Sequence, residues 1–234
     1  MTILKKQGER QFVGVASVYI AELSLWQGNI TAAGRWADRA WQLAEFHRFK
    51  RDFIRAALLQ GQAALRRGDR ELAEERLHHA LTRTRAVNVV ELELPSLIAI
   101  AELEFARGKP KTARERLDEV WEPAEEGPYP LQQADAYNVL ADICLTEDDK
   151  PGAVEAATKA YRAAWCDGPP WAYHWGLEKA RAHPQALGAP EPDMPLFDES
   201  KFEPLPEVEI NRRDEYWVDP DQPLEALLGL DGGK

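Results

Sequence analysis

Residues 54–84 read IRAALLQGQAALRRGDRELAEERLHHALTRT. Apolar residues recur at three- and four-residue spacing on both sides of Gly68, so the stretch reads as two amphipathic helices joined by a turn. Gly68 supplies the left-handed backbone that ends a helix at little steric cost. Gly61 precedes that turn by seven residues, and Ala73 and Ala80 follow it by five and twelve. Small side chains at such places let two helices cross closely, because a larger group would hold their backbones apart.

The same arrangement returns at intervals of 40. Gly28, Gly68 and Gly108 hold the turn position, with Asp148 in the fourth place. Three series of small residues keep the step: Ala21, Gly61, Ala101 and Ala141; Ala33, Ala73, Ala113 and Ala153; Ala40, Ala80, Val120 and Ala160. The segments YIAELSLWQG, LPSLIAIAELEFARG and ADAYNVLADICL lead into turns as IRAALLQGQAALRRG does. Second amphipathic runs follow each of them: TAAGRWADRAWQLAEF, KTARERLDEVWEPA and GAVEAATKAYRAAW. The expectation is an all-α fold of four helical hairpins. Pro110 and Pro151 stand at the start of second helices, where a missing N–H costs nothing, and EEGPYP at 125–130 separates the third hairpin from the fourth. GPPWAYHWGLEKARAH, from 168 to 183, adds one more helix, closed by Pro184 or Gly188. Its Trp171, Tyr173 and Trp175 are large enough to cap the apolar end of an array.

Over residues 10–187 this pattern resembles the tetratricopeptide repeat, which places small residues at its eighth, twentieth and twenty-seventh positions and a glycine at its fifteenth. The unit of 40 exceeds the usual 34, and the aromatic of the fourth position is present only as Tyr137. Longer units of this kind resemble the repeat regions of bacterial STAND-type signalling ATPases and of kinesin light chains. The resemblance implies an α-solenoid wound as a right-handed superhelix. It also implies that the first helix of each hairpin lines a concave groove. Carried over position by position, the groove comprises Val18, Leu58, Ile98 and Asn138; Glu22, Gln62, Glu102 and Asp142; Val15, Arg55, Pro95 and Asp135; and Trp26, Arg66, Ala106 and Thr146, which together give it an apolar floor. Such a groove is basic around Arg55 and Arg66 and acidic toward its C-terminal end. It lacks the lysine-and-asparagine carboxylate clamp of chaperone-binding members of the family.

Composition changes at Pro190. Residues 190–234 hold seven of the 16 prolines, with 13 acidic and four basic side chains, and so carry -9 of the chain's -11; residues 1–189 carry -2. That proline content excludes regular helix over most of the stretch, apart from LEALLGL at 224–230. The domain reading is therefore a helical repeat domain over 1–189 and an acidic, proline-rich extension over 190–234. Phe197, Phe202, Tyr216 and Trp217 are poorly solvated for a free tail, so the extension is expected to dock on the helices, either near Arg55 and Arg66 or on the convex side, and to compete with an outside partner if it fills the groove.

No phosphate-binding loop, dinucleotide fingerprint, H-E-x-x-H or paired C-x-x-C occurs in the sequence. His78 and His79 point to different sides of one helix, His47 lies at a helix end, His174 sits among aromatics, and His183 precedes a proline. Cys144 belongs to an apolar face, and Cys166 ends a helix without a histidine placed to activate it. We assign no catalytic residue, no metal site and no cofactor. Net charge argues against nucleic acid and anionic membranes as partners, and no apolar run reaches the roughly 20 residues of a membrane span. With no signal-peptide core at the N-terminus, the expected location is the cytoplasm. The expected function is a protein–protein interaction module, a scaffold, adaptor or signalling sensor that holds a protein or peptide partner in the groove. The alternatives are a helical enzyme with a carboxylate-lined pocket and a self-assembling structural protein.

Overall fold

The computed structural model describes residues 11–198 and residue 200, which fall into two compact units, one ending at Val87 and the other beginning at Asn88. Every regular element among them is helical. The first unit contains α1 (Gln11–Trp26), α2 (Ile30–His47), α3 (Lys50–Arg67) and α4 (Arg70–Val87). The second contains α5 (Val90–Ala106), α6 (Pro110–Glu126), α7 (Pro130–Thr146), α8 (Lys150–Trp165) and α9 (His174–Leu187). Within each unit consecutive helices pack on one another, and alternate ones also meet: α1 touches α3, α5 touches α7, and α7 touches α9.

Local chemistry sets the helix ends. Gly28, Gly68, Gly108 and Asp148 all have positive φ, between 59° and 84°, as the turn series anticipates. At each, the turn residue and its successor donate back to the preceding helix: Asp69 N–H to Ala64 O and Gly68 N–H to Leu65 O, both at 3.0 Å, are repeated around 28, 108 and 148. This bonding satisfies carbonyls that would otherwise be orphaned. The next residue then caps the second helix. Asn29, Asp69 and Asp149 accept from the backbone N–H three residues on, at 3.2, 3.1 and 3.0 Å, whereas Lys109 has no such bond and is followed by Pro110 at the first helical position.

All twelve small-residue positions are buried; eleven of them are 0% exposed, and Gly61 joins them. Gly61 shows why the size limit exists. A Cβ built there would lie 2.6 Å from Leu77 Cγ and 3.2 Å from its backbone nitrogen. In the first unit, the core around one crossing joins Val18, Ala21, Trp36, Ala37, Ala40, Ala56 and Leu59.

Of the two closures the sequence offers for the last helix, Pro184 and Gly188, the structure takes Gly188. The helix starts at His174, passes through Pro184 and stops at Gly188, whose φ of 68° keeps the 40-residue step after Gly108 and Asp148. By packing on α7 it stands as a fifth first helix. Among the described residues no second helix follows it, and the place of the small residue, 40 after Ala141, is taken by Arg181. Arg181 reaches Glu191 instead, Nε to Oε1 at 3.0 Å.

Residues 189–198 run without regular structure over α8 and α9. Tyr161 donates its hydroxyl proton to Glu191 Oε2 (3.1 Å), Trp165 Nε1–H donates to Pro195 O (2.9 Å), Met194 packs against the cluster around Tyr161, Trp165 and Leu177, and the Phe197 ring lies 6.3 Å from that of Trp171. Phe202, Tyr216, Trp217 and LEALLGL lie outside the described residues.

Candidate partner-binding faces on the first helices

In the first unit, α1 and α3 supply the candidate residues. Val18 and Leu58 are 0% and 7% exposed, so they form packing beneath the face and not a floor a partner could touch. Val15, Glu22, Arg55 and Gln62 are half-buried, while Trp26 and Arg66 are exposed. Arg55 crosses from α3 to α1: its Nη2 lies 3.4 Å from Glu22 Oε2, and its guanidinium sits 4.6 Å from the Tyr19 ring centroid. Burial raises the Glu22 carboxyl above its ordinary value, and the Arg55 charge and hydrogen bond only partly oppose that. Asp52 is raised for the same first reason, against Arg55 and Arg51. Arg55 is therefore held among carboxylates and a ring, whereas Arg66 is open to solvent.

In the second unit, Ile98 and Asn138 are again buried, at 6% and 1%. Pro95 is half-buried inside α5, and Ala106 and Thr146 are exposed at the ends of α5 and α7. The acidic residues expected toward the C-terminal end are present, and α9 faces them. Lys179 Nζ lies 3.1 Å from Asp142 Oδ2 and 3.9 Å from Glu102 Oε1; His183 Nε2 lies 3.6 Å from Asp142 Oδ1; and the Tyr173 hydroxyl reaches both oxygens of Asp135 at 3.2 Å. Asn138 donates Nδ2–H to Gly176 O at 3.0 Å. Glu102, Asp135 and Asp142 thus meet partners inside the unit, and Lys179 offsets part of their charge. Burial lowers the His183 pKa most; Asp142 opposes this and Lys179 adds to it.

Tyr173, Lys179 and His183 were missed as site residues because α9 reads from sequence as a cap. The signal that could have found them is Gly188, which continues the turn series to a fifth place. Tyr19 and Leu23 were missed too, since the family pattern carries no groove position to them; they are 57% and 42% exposed.

The remaining candidates behave as side chains of a packed helical protein. His78 is exposed, and His79 packs 5.5 Å from the Phe53 ring and 5.6 Å from that of Trp41, its pKa lowered by burial and then by Arg83 and Arg76. His47 lies in the last turn of α2, and the exposed His174 meets Trp175 edge-on at 5.5 Å. Cys144 is buried and accepts from Arg114 Nη2 at 3.4 Å, while Cys166 is exposed. A hollow of about 90 Å³ between α2, α3 and α4, lined by Gly34, Asp38, Gln60, Arg67, Leu72 and Arg76, is smaller than the ~300 Å³ at which small-molecule pockets begin. No family model, curated protein or solved structure matches the chain.

Proposed function

We propose that the chain is a tetratricopeptide-like α-solenoid, its hairpins stacked in a right-handed superhelix, that works in the cytoplasm as a scaffold or adaptor by holding a partner protein on its first-helix faces. The observation that carries this reading is the packing of alternate helices within each unit, α1 on α3, α5 on α7 and α7 on α9, which sets first helices side by side. Repetition of this kind builds an extended surface suited to a peptide or a protein edge. Half-exposed Glu22, Arg55 and Gln62, with exposed Trp26 and Arg66, give it the arginine and aromatic content that interfaces favour. Glu102 and Asp142 share Lys179, an arrangement that suits a surface more than an enzyme's pair of free carboxylates. No helix of the described residues is long and apolar enough to cross a membrane.

The test uses affinity purification from cells with the full chain, comparing wild type, a face variant (Gln62→Arg with Arg66→Glu) and a control on α4 (Arg83→Glu). Thermal unfolding of all three establishes that the fold is kept. A partner retained by wild type and control and lost by the face variant is the expected result. Equal retention by both variants would remove the first-helix face from the account.

A further inference from the structure

Phe12, Tyr19 and Leu23 are 44%, 57% and 42% exposed on α1. Intervals of seven and four residues place them on one side of the helix, with the 37% exposed Trp26 three residues further on. Exposed apolar side chains gathered in a stripe, and not scattered, mark a docking surface. The unit that carries the stripe is basic: residues 11–87 hold twelve Lys and Arg against eight Asp and Glu. Arg55, stacked on Tyr19, borders the stripe directly.

Two observations select the occupant. Residues 201–234 carry nine acidic and four basic side chains together with Phe202, Tyr216, Trp217 and LEALLGL, so they complement the first unit in charge and in apolar content. The same chain is already seated on the helices immediately upstream, where Glu191, Met194 and Pro195 engage Tyr161, Trp165 and Arg181. Its 34 residues can span up to roughly 110 Å at about 3.3 Å each, so the length of the segment sets no tight limit on the helix it reaches. A second copy of the chain is the weaker occupant, because two stripes meeting face to face would bring two net-basic units together.

We infer that the segment 201–234 docks on the apolar stripe of α1, burying aromatic or leucine side chains against Phe12, Tyr19 and Leu23 while its carboxylates face the basic side chains of the first unit. The inference goes beyond the binding of an outside partner and does not depend on it. Such a docked segment shields the stripe from water and ties the C-terminal end of the chain to its first helix.

The full chain with a photoreactive benzoylphenylalanine in place of Trp217, prepared in light and heavy isotopic forms and mixed, reads the contact directly. The expected product is a cross-link within one chain that maps to residues 11–26. Its yield should fall several-fold in Leu23→Glu and in Phe12→Asp, and also at high salt, with helicity unchanged in both exposed-site variants. Cross-links only between light and heavy chains would assign the stripe to a second copy and overturn the inference. Cross-links to other helices would overturn it as well, as would the absence of cross-links with amides of 201–234 exchanging like an unfolded peptide.

Discussion

His183 is 8% exposed, with its Nε2 3.6 Å from Asp142 Oδ1 and Lys179 close by. Burial favours the neutral ring in the folded protein, so the unfolded chain binds the proton more tightly. The stability this residue contributes is complete above the ordinary histidine value of about 6.5 and is lost as the pH falls through it. We expect the urea midpoint to drop between about pH 7.5 and about pH 5.5, and to drop less in His183→Gln. An equal drop in the variant would show that the ring is not shielded. His79, lowered mainly by its own burial, works in the same direction and leaves a residual slope. Glu22 and Asp52 work oppositely at lower pH: their raised carboxyls favour the folded state below the ordinary carboxylate range, and that contribution is lost as the pH rises. The helix crossings set a different kind of limit. Ala73 is 0% exposed, so Ala73→Leu should overpack the site and cost on the order of 1–3 kcal/mol in chemical denaturation. Near-wild-type stability would mean that the crossing is loose.

At the scale of the helix, the repeat is finer than 40 residues. Left-handed residues end helices at Gly28, Arg48, Gly68, Gly108, Asp148 and Gly188, and Asn88 and Gly168 also have positive φ, so the turns lie on a 20-residue step. Position 128 breaks the series because it is proline, whose ring fixes φ negative; the chain turns there through Gly127 at φ -108°. The turns within hairpins were legible because three of the four carry glycine. Of the turns between hairpins, EEGPYP at 125–130 was legible from its glycine and prolines, whereas those at Arg48 and Asn88 were not, because these residues adopt the same backbone without advertising it in sequence. A residue with a Cβ pays about 1–2 kcal/mol for that conformation, so Arg48→Gly should stabilise the protein by roughly 1 kcal/mol, and Asp148→Gly similarly. Thermal unfolding checks both. A loss of stability in Arg48→Gly would indicate that its side chain does more for the fold than the strain removes.

Over the whole molecule, charge is distributed unevenly: a basic first unit, an acidic second unit and a C-terminal segment of net -9 beyond residue 189. Periodicity reveals where helices cross, since the requirement for small side chains is written into each of the four hairpins. It does not reveal which face-lining side chains are already engaged. Glu102 and Asp142 looked like a free acidic surface until α9 brought Lys179 and His183 beside them, 37 and 41 residues downstream of Asp142. Ile98 and Asn138 looked like groove floor, but their burial places them in the packing below it. The solvent-exposed parts of the candidate surface are Trp26 and Arg66 in the first unit and the ends of α5 and α7 in the second. The most direct test of the central claim is the hydrogen-exchange footprint of the captured partner on the full chain. The account expects slowed exchange in α1, α3, α5 and α7, with α2, α4, α6 and α8 unchanged. Protection confined to the second helices would contradict it.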